Sequence, residues 1–325
     1  LTNISMREIN YVLTVHNAGS ITKAAQVLYI AQPSLSQSIQ KIESTLGIQL
    51  FSRAGNRMKL TYAGELFVES GLKILQIFRN LENNFKDISN LDAGRIVLGI
   101  PFYLGSYMFP CISNIYRLKH PHVKINPIEG SSTQLEEMIL NGTVDIAIMP
   151  VLKNIAFPQK PIFTSKILLS LPLKHWLNEH LYYKPGEAFP YVDIRLASNE
   201  PFIVGQPGQR IRQMTEIVFQ KAGIDPPIVF ESKSIETIKR MSAAGIGLAF
   251  MPEYYHNFFM PPWNATYCYI EDEYSSAWTV SMVYQCEDDL STTIREFMNI
   301  VEETFGGLRP TAFAQVAENS LRNPL

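Results

Sequence analysis

Three short stretches at the start of the chain repeat their apolar residues at helical spacing. Met6, Ile9, Val12 and Leu13 form the first stripe, which predicts a helix opened by Ser5-Met6-Arg7-Glu8, a reciprocal capping pattern, and closed at Asn17-Ala18-Gly19. Ile21, Ala24, Ala25 and Leu28 follow the i, i+3, i+4, i+7 rule behind Ser20 as N-cap. The third helix carries Pro33 in its first turn, where the missing N–H costs nothing, and Leu35, Ile39, Ile42 and Leu46 along one side. Its other side is Gln32, Ser34, Ser36, Gln37, Gln40 and Lys41. Amide and hydroxyl side chains at such positions can reach base edges and phosphate oxygens, although any solvated amphipathic helix shows a similar face.

Downstream, Gly47 closes the third helix. Ser52 to Thr61 then predicts a small hairpin turning at Gly55-Asn56 and carrying Arg53, Arg57 and Lys59. Beside a base-reading helix such a hairpin is a wing that lies along phosphates or in the adjacent minor groove; otherwise it is a solvated basic turn. From Thr61 a long helix runs to about Asn90. Phe67, Gly71, Ile74, Phe78, Leu81, Phe85 and Ile88 alternate spacings of four and three along it, a heptad seam suited to a second copy of the same helix or to the chain's own body. At 1.5 Å per residue it spans roughly 42 Å.

After Asp92-Ala93-Gly94 the period changes. Strands are predicted at Arg95–Ile100, Val123–Glu129 and Asp145–Met149, with helices over Ser106–Lys119 and Thr133–Leu140 between them. That alternation implies a parallel sheet with helices on its faces and a ligand crevice beyond the strands' carboxyl ends. A second set follows, with strands at Ile167–Leu171, Pro201–Val204, Ile228–Glu231 and Gly245–Pro252, and helices over Gly208–Ala222 and from Ser234 to Ala243. A strand at Val280–Tyr284 and a helix over Leu290–Phe305 close the pattern, giving two α/β lobes and a cleft.

Composition alters this picture in two places. The 325 residues, 46% hydrophobic and 18% charged, suit two or three globular domains. No run of about 18 apolar residues and no basic-then-apolar leader is found, so the chain reads as cytoplasmic, without a membrane partner. The net charge of −2 hides an asymmetry: residues 1–61 hold six basic and two acidic residues, so the basic segment sits on an acidic body, as expected for polyanion contact. Cys111, Cys268 and Cys286 are widely spaced and indicate neither a disulfide framework nor zinc; they read as buried free thiols.

With these pieces in order, the chain resembles the LysR-type transcriptional regulators along nearly its whole length. The resemblance is carried by G-S-I-T-K-A-A-Q-V-L at 19–28, A-Q-P-S-L-S-Q-S-I-Q-K-I-E at 31–43, L-G-I-Q-L-F-S-R at 46–53 and L-T-Y-A-G at 60–64. E-S-K-S at 231–234 and G-I-G-L-A-F-M-P at 245–252 extend it into the second half. It implies a winged helix-turn-helix domain over 1–61, a dimerising linker helix over 62–91, and over 92–305 a two-lobed effector domain of the type 2 periplasmic-binding-protein kind. Lobe 1 takes about 92–165 and 270–305, lobe 2 about 166–269, and 306–325 is a tail. The overall fold class is α/β.

The resemblance further implies dimers assembling into tetramers on pseudo-palindromic double-stranded promoter DNA. Such regulators activate a neighbouring operon or repress their own through RNA polymerase access. DNA-facing positions carry over to Gln32, Pro33, Ser34, Ser36 and Gln37, with Lys41, Arg53 and Arg57 toward phosphate. Gln37 stands where many members have arginine, which implies an adenine preference there. The effector pocket carries over to Phe102, Tyr103 and Ser106 after the first strand, Ser131, Ser132 and Thr133 after the second, and Gly205, Gln206, Ser232 and Ser234 in the second lobe. Hydroxyls and helix-start amides suit a small organic anion, though each serine would serve equally as an N-cap.

No cofactor and no metal are implied. His120-Pro121-His122 lacks a further ligand nearby and reads as a loop. An enzyme on the same lobes finds no support, since there is no G-x-S-x-G, P-loop, H-E-x-x-H or strand-following G-x-G-x-x-G. The alternative is a cytosolic solute-binding protein without regulatory DNA reading, against which the basic N-terminal bundle counts.

Overall fold

The computed structural model describes residues 4–54, 57–89, 94–152, 155–256, 264–275 and 278–307. Two compact units divide the chain, Leu1–Phe85 and Lys86–Leu325. The expected Gly55-Asn56 turn, the Asp92-Ala93 hinge residues and residues 308–325 of the tail lie outside the described residues.

The first unit opens with α1, Met6–Ala18. Its capping box forms as the sequence predicts: the Ser5 hydroxyl accepts from the Glu8 N–H, and Glu8 Oε2 accepts from the Ser5 N–H at 2.8 Å. Helix α2 is Ile21–Val27; Ser20 occupies its N-cap position, but the side chain makes no capping bond. Helix α3 is Gln32–Leu46 and ends at Gly47, whose φ of 70° is a left-handed conformation that suits glycine. Val12, Val15, Ala24, Leu35, Ile39 and Ile42 are buried together. At about 25 cal/mol per Å² of apolar area removed from water, each of the larger ones contributes on the order of 2 kcal/mol.

Strands β1, Phe51–Ala54, and β2, Arg57–Leu60, pair antiparallel as the expected hairpin. Two features missed in the sequence fix it. Glu43 Oε1 on α3 accepts from the N–H groups of Leu50 and Phe51 at 2.8 and 3.1 Å, and the Met58 N–H donates to the Gly19 carbonyl at 3.1 Å.

Helix α4, Tyr62–Ser89, is capped by Thr61, whose hydroxyl accepts from the Gly64 N–H. A Cβ on Gly64 would stand 2.1 Å from the Leu50 carbonyl oxygen, so glycine there lets α4 start against the hairpin. The expected single seam splits in two. Gly71 lies against Ile9 of α1, and Val68, Leu72 and Leu75 join the bundle core. Ile74, Phe78 and Leu81 stay 45%, 44% and 47% exposed, with Ile77 beside them at 61%. The side chains of Phe85 and Ile88 lie outside the described residues.

In the second unit the elements are β3 Arg95–Ile100, α5 Phe102–Lys119, β4 Lys124–Glu129, α6 Ser132–Leu140, β5 Ile146–Val151 and β6 Gln159–Ser165. Next come β7 Ile167–Pro172, β8 Tyr191–Val192, β9 Phe202–Gly205, α7 Arg210–Ala222, β10 Ile228–Ser232, α8 Ile235–Ala243 and β11 Ala249–Pro252. β12 Ala265–Ile270, β13 Trp278–Val283 and α9 Thr292–Phe305 complete the order.

One sheet runs β4-β3-β5-β13-β6 and another β11-β7-β12-β8, with β10-β9 linked to the second through a bridge from Phe202 to Leu248. The three strands expected to be parallel, β4, β3 and β5, are so, and the sheet is extended by β13, which runs antiparallel to both β5 and β6. The chain passes from the first sheet to the second between Ser165 and Ile167 and returns between Ile270 and Trp278. Two crossings between two sheets give two lobes.

Candidate functional site

On α3, Leu35, Ile39 and Ile42 are 0 to 3% exposed, so the opposite side must face outward. Gln32, Pro33, Ser34, Gln37, Gln40 and Lys41 are exposed and Ser36 is partly so. The Ser38 hydroxyl donates back to the Ser34 carbonyl, while no side-chain hydrogen bond ties up Gln32, Gln37 or Gln40 within the described residues. Lys41 reaches Glu8 only at 3.9 Å while itself 76% exposed, a contact weak enough to yield to a phosphate. Arg53 pairs in register with Met58, and Ala54 with Arg57; the arginine side chains lie outside the described residues. The face is thus a row of donors and acceptors on a helix held rigidly from behind.

In the second unit the strands β3, β4, β9 and β10 each lead directly into a helix, α5, α6, α7 and α8. All four helix starts line one cavity of about 750 Å³, the crevice position expected of a parallel α/β sheet. Eight of the ten carried-over effector residues lie on its wall: Phe102, Tyr103, Ser106, Ser131, Ser132, Thr133, Gln206 and Ser234. Two do not. Gly205 and Ser232 pair at the ends of β9 and β10; a Cβ on Gly205 would meet Ile211 at 2.7 Å, and the Ser232 hydroxyl accepts from the Ser234 N–H.

Phe102, Tyr103 and Ser106 were expected in a turn. They belong to α5 itself, which starts at Phe102 because Pro101, in extended conformation, serves as its N-cap, and which continues through Pro110. Ser131 caps α6 with Gln134 in a full capping box, and Ser234 caps α8 through the Thr237 N–H. These two hydroxyls are committed to their helices, so the capping reading of them holds alongside their place on the cavity wall.

Several cavity residues carried no signal in the sequence. Arg210, 7% exposed, donates to the Pro150 carbonyl, to Gln213 Oε1 at 2.7 Å and to Glu136 Oε1. It belongs to α7, whereas Glu136 and Pro150 belong to α6 and β5, so it fastens one lobe to the other; the Thr133 hydroxyl adds a bond to the Gly208 carbonyl at 3.1 Å. Partners 60 and 74 residues away leave no local pattern. Tyr255 packs edge-on against Tyr103 with ring centroids 6.2 Å apart. Burial holds both phenols well above the usual tyrosine range, and for Tyr255 the nearby Glu236 carboxylate adds to it; both are neutral donors at physiological pH.

A helix-turn-helix with a hairpin wing, joined to a two-lobed α/β domain enclosing a cavity, is the architecture of a ligand-responsive DNA-binding regulator. Comparison with known proteins makes this specific. Residues 6–65 match the family model for bacterial regulatory helix-turn-helix proteins of the lysR family, and residues 89–306 match the LysR substrate binding domain. The chain belongs to the LysR family of transcriptional regulators and, with that family, is not an enzyme.

Among its relatives is the uncharacterized HTH-type transcriptional regulator YcgK of Bacillus subtilis, 27% identical over 93% of this chain and 95% of that protein. A probable RuBisCO transcriptional regulator of Cyanophora paradoxa is 28% identical over 76% of each. A full-length OxyR variant from Pseudomonas aeruginosa superposes with a TM-score of 0.67 at 21% identity, covering 93% of this chain and 94% of that one. CbnR, a LysR family transcriptional regulator, follows at 0.61 and 17%, over 93% and 99%. No helix among the described residues is long and apolar enough to cross a membrane.

Proposed function

We infer that the chain reads promoter DNA with the outer face of α3 and responds to a small organic anion in the interlobe cavity. Gln32, Pro33, Ser34, Ser36 and Gln37 face the bases in this reading, with Lys41 and the wing residues Arg53 and Arg57 on phosphates. The observation that carries it is the division of α3: Leu35, Ile39 and Ile42 on the apolar side are buried, while the amide side is left unengaged. Glutamine offers adenine two hydrogen bonds at once.

The functional boundaries are residues 1–61, 62–91 and 92–305, with 306–325 a tail. The apolar outer stripe of α4 joins two copies, so that two α3 helices meet two half-sites, and dimers pair into tetramers. An effector that favours the closed cleft shifts the lobes, and the α4 helices pass this to the spacing of the α3 helices, changing the bend of the DNA and the access of RNA polymerase. The protein works in the cytoplasm as activator or repressor of nearby genes. Sequencing genomic fragments retained by the purified protein tests DNA reading: a pseudo-palindromic motif is expected, lost on Gln32→Ala. Retention of fragments without any shared motif contradicts it.

A further inference from the structure

The charged groups of the cavity do not suit a simple anion. Four charged side chains line it, Glu129, Arg210, Lys233 and Glu236. Arg210 is taken up by Glu136, and Glu236 by Arg240 at 2.6 Å. That leaves Glu129, at the end of β4, and Lys233, between β10 and α8, both exposed to the cavity and neither in an ion pair among the described residues. One free carboxylate and one free ammonium therefore face the same space.

Their surroundings differ. Glu129 Oε1 lies 3.9 Å from where a Cβ on Gly105 would stand, so the carboxylate already sits over the first turn of α5, where the helix amides favour negative charge. A second anion is not wanted at that end. At the start of α6, by contrast, the capping box satisfies the amides of Ser131 and Gln134 and leaves those of Ser132 and Thr133, which have no acceptor within the helix. The Ser132 side chain, 3% exposed, lines the cavity and forms no hydrogen bond among the described residues. That hydroxyl is open to the cavity and can bond a ligand there.

We propose that the cavity binds an amino carboxylate, an α-amino acid or a close relative, its carboxylate at Ser132 and Lys233 and its ammonium at Glu129. This rests on the cavity being the effector site, and it narrows the anion to a zwitterion. A bare carboxylate would leave Glu129 facing it unpaired, and a bare amine would leave Lys233 and Ser132 unused.

Isothermal titration calorimetry on the full chain tests this with the proteinogenic L-amino acids, each beside its deaminated carboxylate and its decarboxylated amine. The expected result is one amino acid bound about tenfold more tightly than either counterpart. Glu129→Gln removes the advantage over the carboxylate, Lys233→Gln removes the advantage over the amine, and both variants keep the parent's melting temperature. A deaminated carboxylate that binds as tightly as its amino acid overturns the zwitterion while leaving the anion cavity standing. An amine that binds as tightly overturns both, and failure of the whole set to bind overturns the proposal.

Discussion

Helices α3 and α4 lie in the same small bundle and have opposite relations between pattern and burial. On α3 the apolar residues Leu35, Ile39 and Ile42 all find cover within the chain, and what remains outside is polar. On α4 Ala63, Phe67, Val68, Gly71, Leu72 and Leu75 turn inward, while Ile74, Ile77, Phe78 and Leu81 stay about half exposed. A run of large apolar side chains left uncovered on a helix marks a surface for another protein. A polar face over a finished core marks a surface whose chemistry, rather than its burial, does the binding. The difference teaches that α3 covers its apolar residues within its own bundle, whereas α4 leaves part of its apolar stripe uncovered.

The largest effect that would break this comparison is in the α3 core. Leu35→Ala removes a fully buried side chain and is expected to cost about 2–5 kcal/mol in chemical denaturation, and DNA affinity should fall with it. Phe78→Ala, a comparable truncation on the outer stripe, should leave the stability of a single copy within about 0.5 kcal/mol. Phe78→Asp should instead convert dimer to monomer in analytical ultracentrifugation. If Phe78→Asp left the mass unchanged, the outer stripe of α4 would not be the joining surface.

Gly64→Ala comes next, since the new Cβ meets the Leu50 carbonyl. It should cost about 1–3 kcal/mol by thermal unfolding, as over-packing does. Glu43→Ala removes the acceptor for the Leu50 and Phe51 amides, and hydrogen exchange should quicken at those two amides before any others of the bundle. The smallest effect concerns Glu8, whose carboxyl is held below its ordinary value by the backbone N–H and then the hydroxyl of Ser5. A depressed folded-state value means this stabilisation is present above the unfolded pKa of about 4.5 and fades as pH falls through the folded one. The melting temperatures of the parent and Glu8→Ala should therefore differ at pH 7 and converge as the pH falls through the folded-state value.

Much of the N-terminal unit was legible because its determinants are local. Ser5 and Glu8 are three residues apart, Pro33 announces a first turn, and each stripe lies within one helix. What escaped notice depended on distance. β6 and β12 carry no clear alternation, because β6 begins with Gln159-Lys160-Pro161 and β12 with three half-exposed residues. β13 inserts antiparallel between β5 and β6, which no helix-strand alternation reveals.

The structure starts α5 four residues before the expected Ser106, because Pro101 caps the helix directly instead of opening a turn before it. At the cavity the serine-rich helix starts were visible, and the lobe-fastening Arg210 was not, since Glu136 and Pro150 meet it only in three dimensions.

The most direct test of DNA reading by α3 is a fluorescence anisotropy titration of a bound operator and a scrambled duplex at several salt concentrations. Gln32→Ala should collapse the ratio of the two affinities while leaving the salt dependence as in the parent. Lys41→Ala should weaken both duplexes alike and lower the salt slope by about one. A Gln32→Ala protein that kept the parent's preference for the operator would contradict the assignment of the outer face of α3 to base recognition.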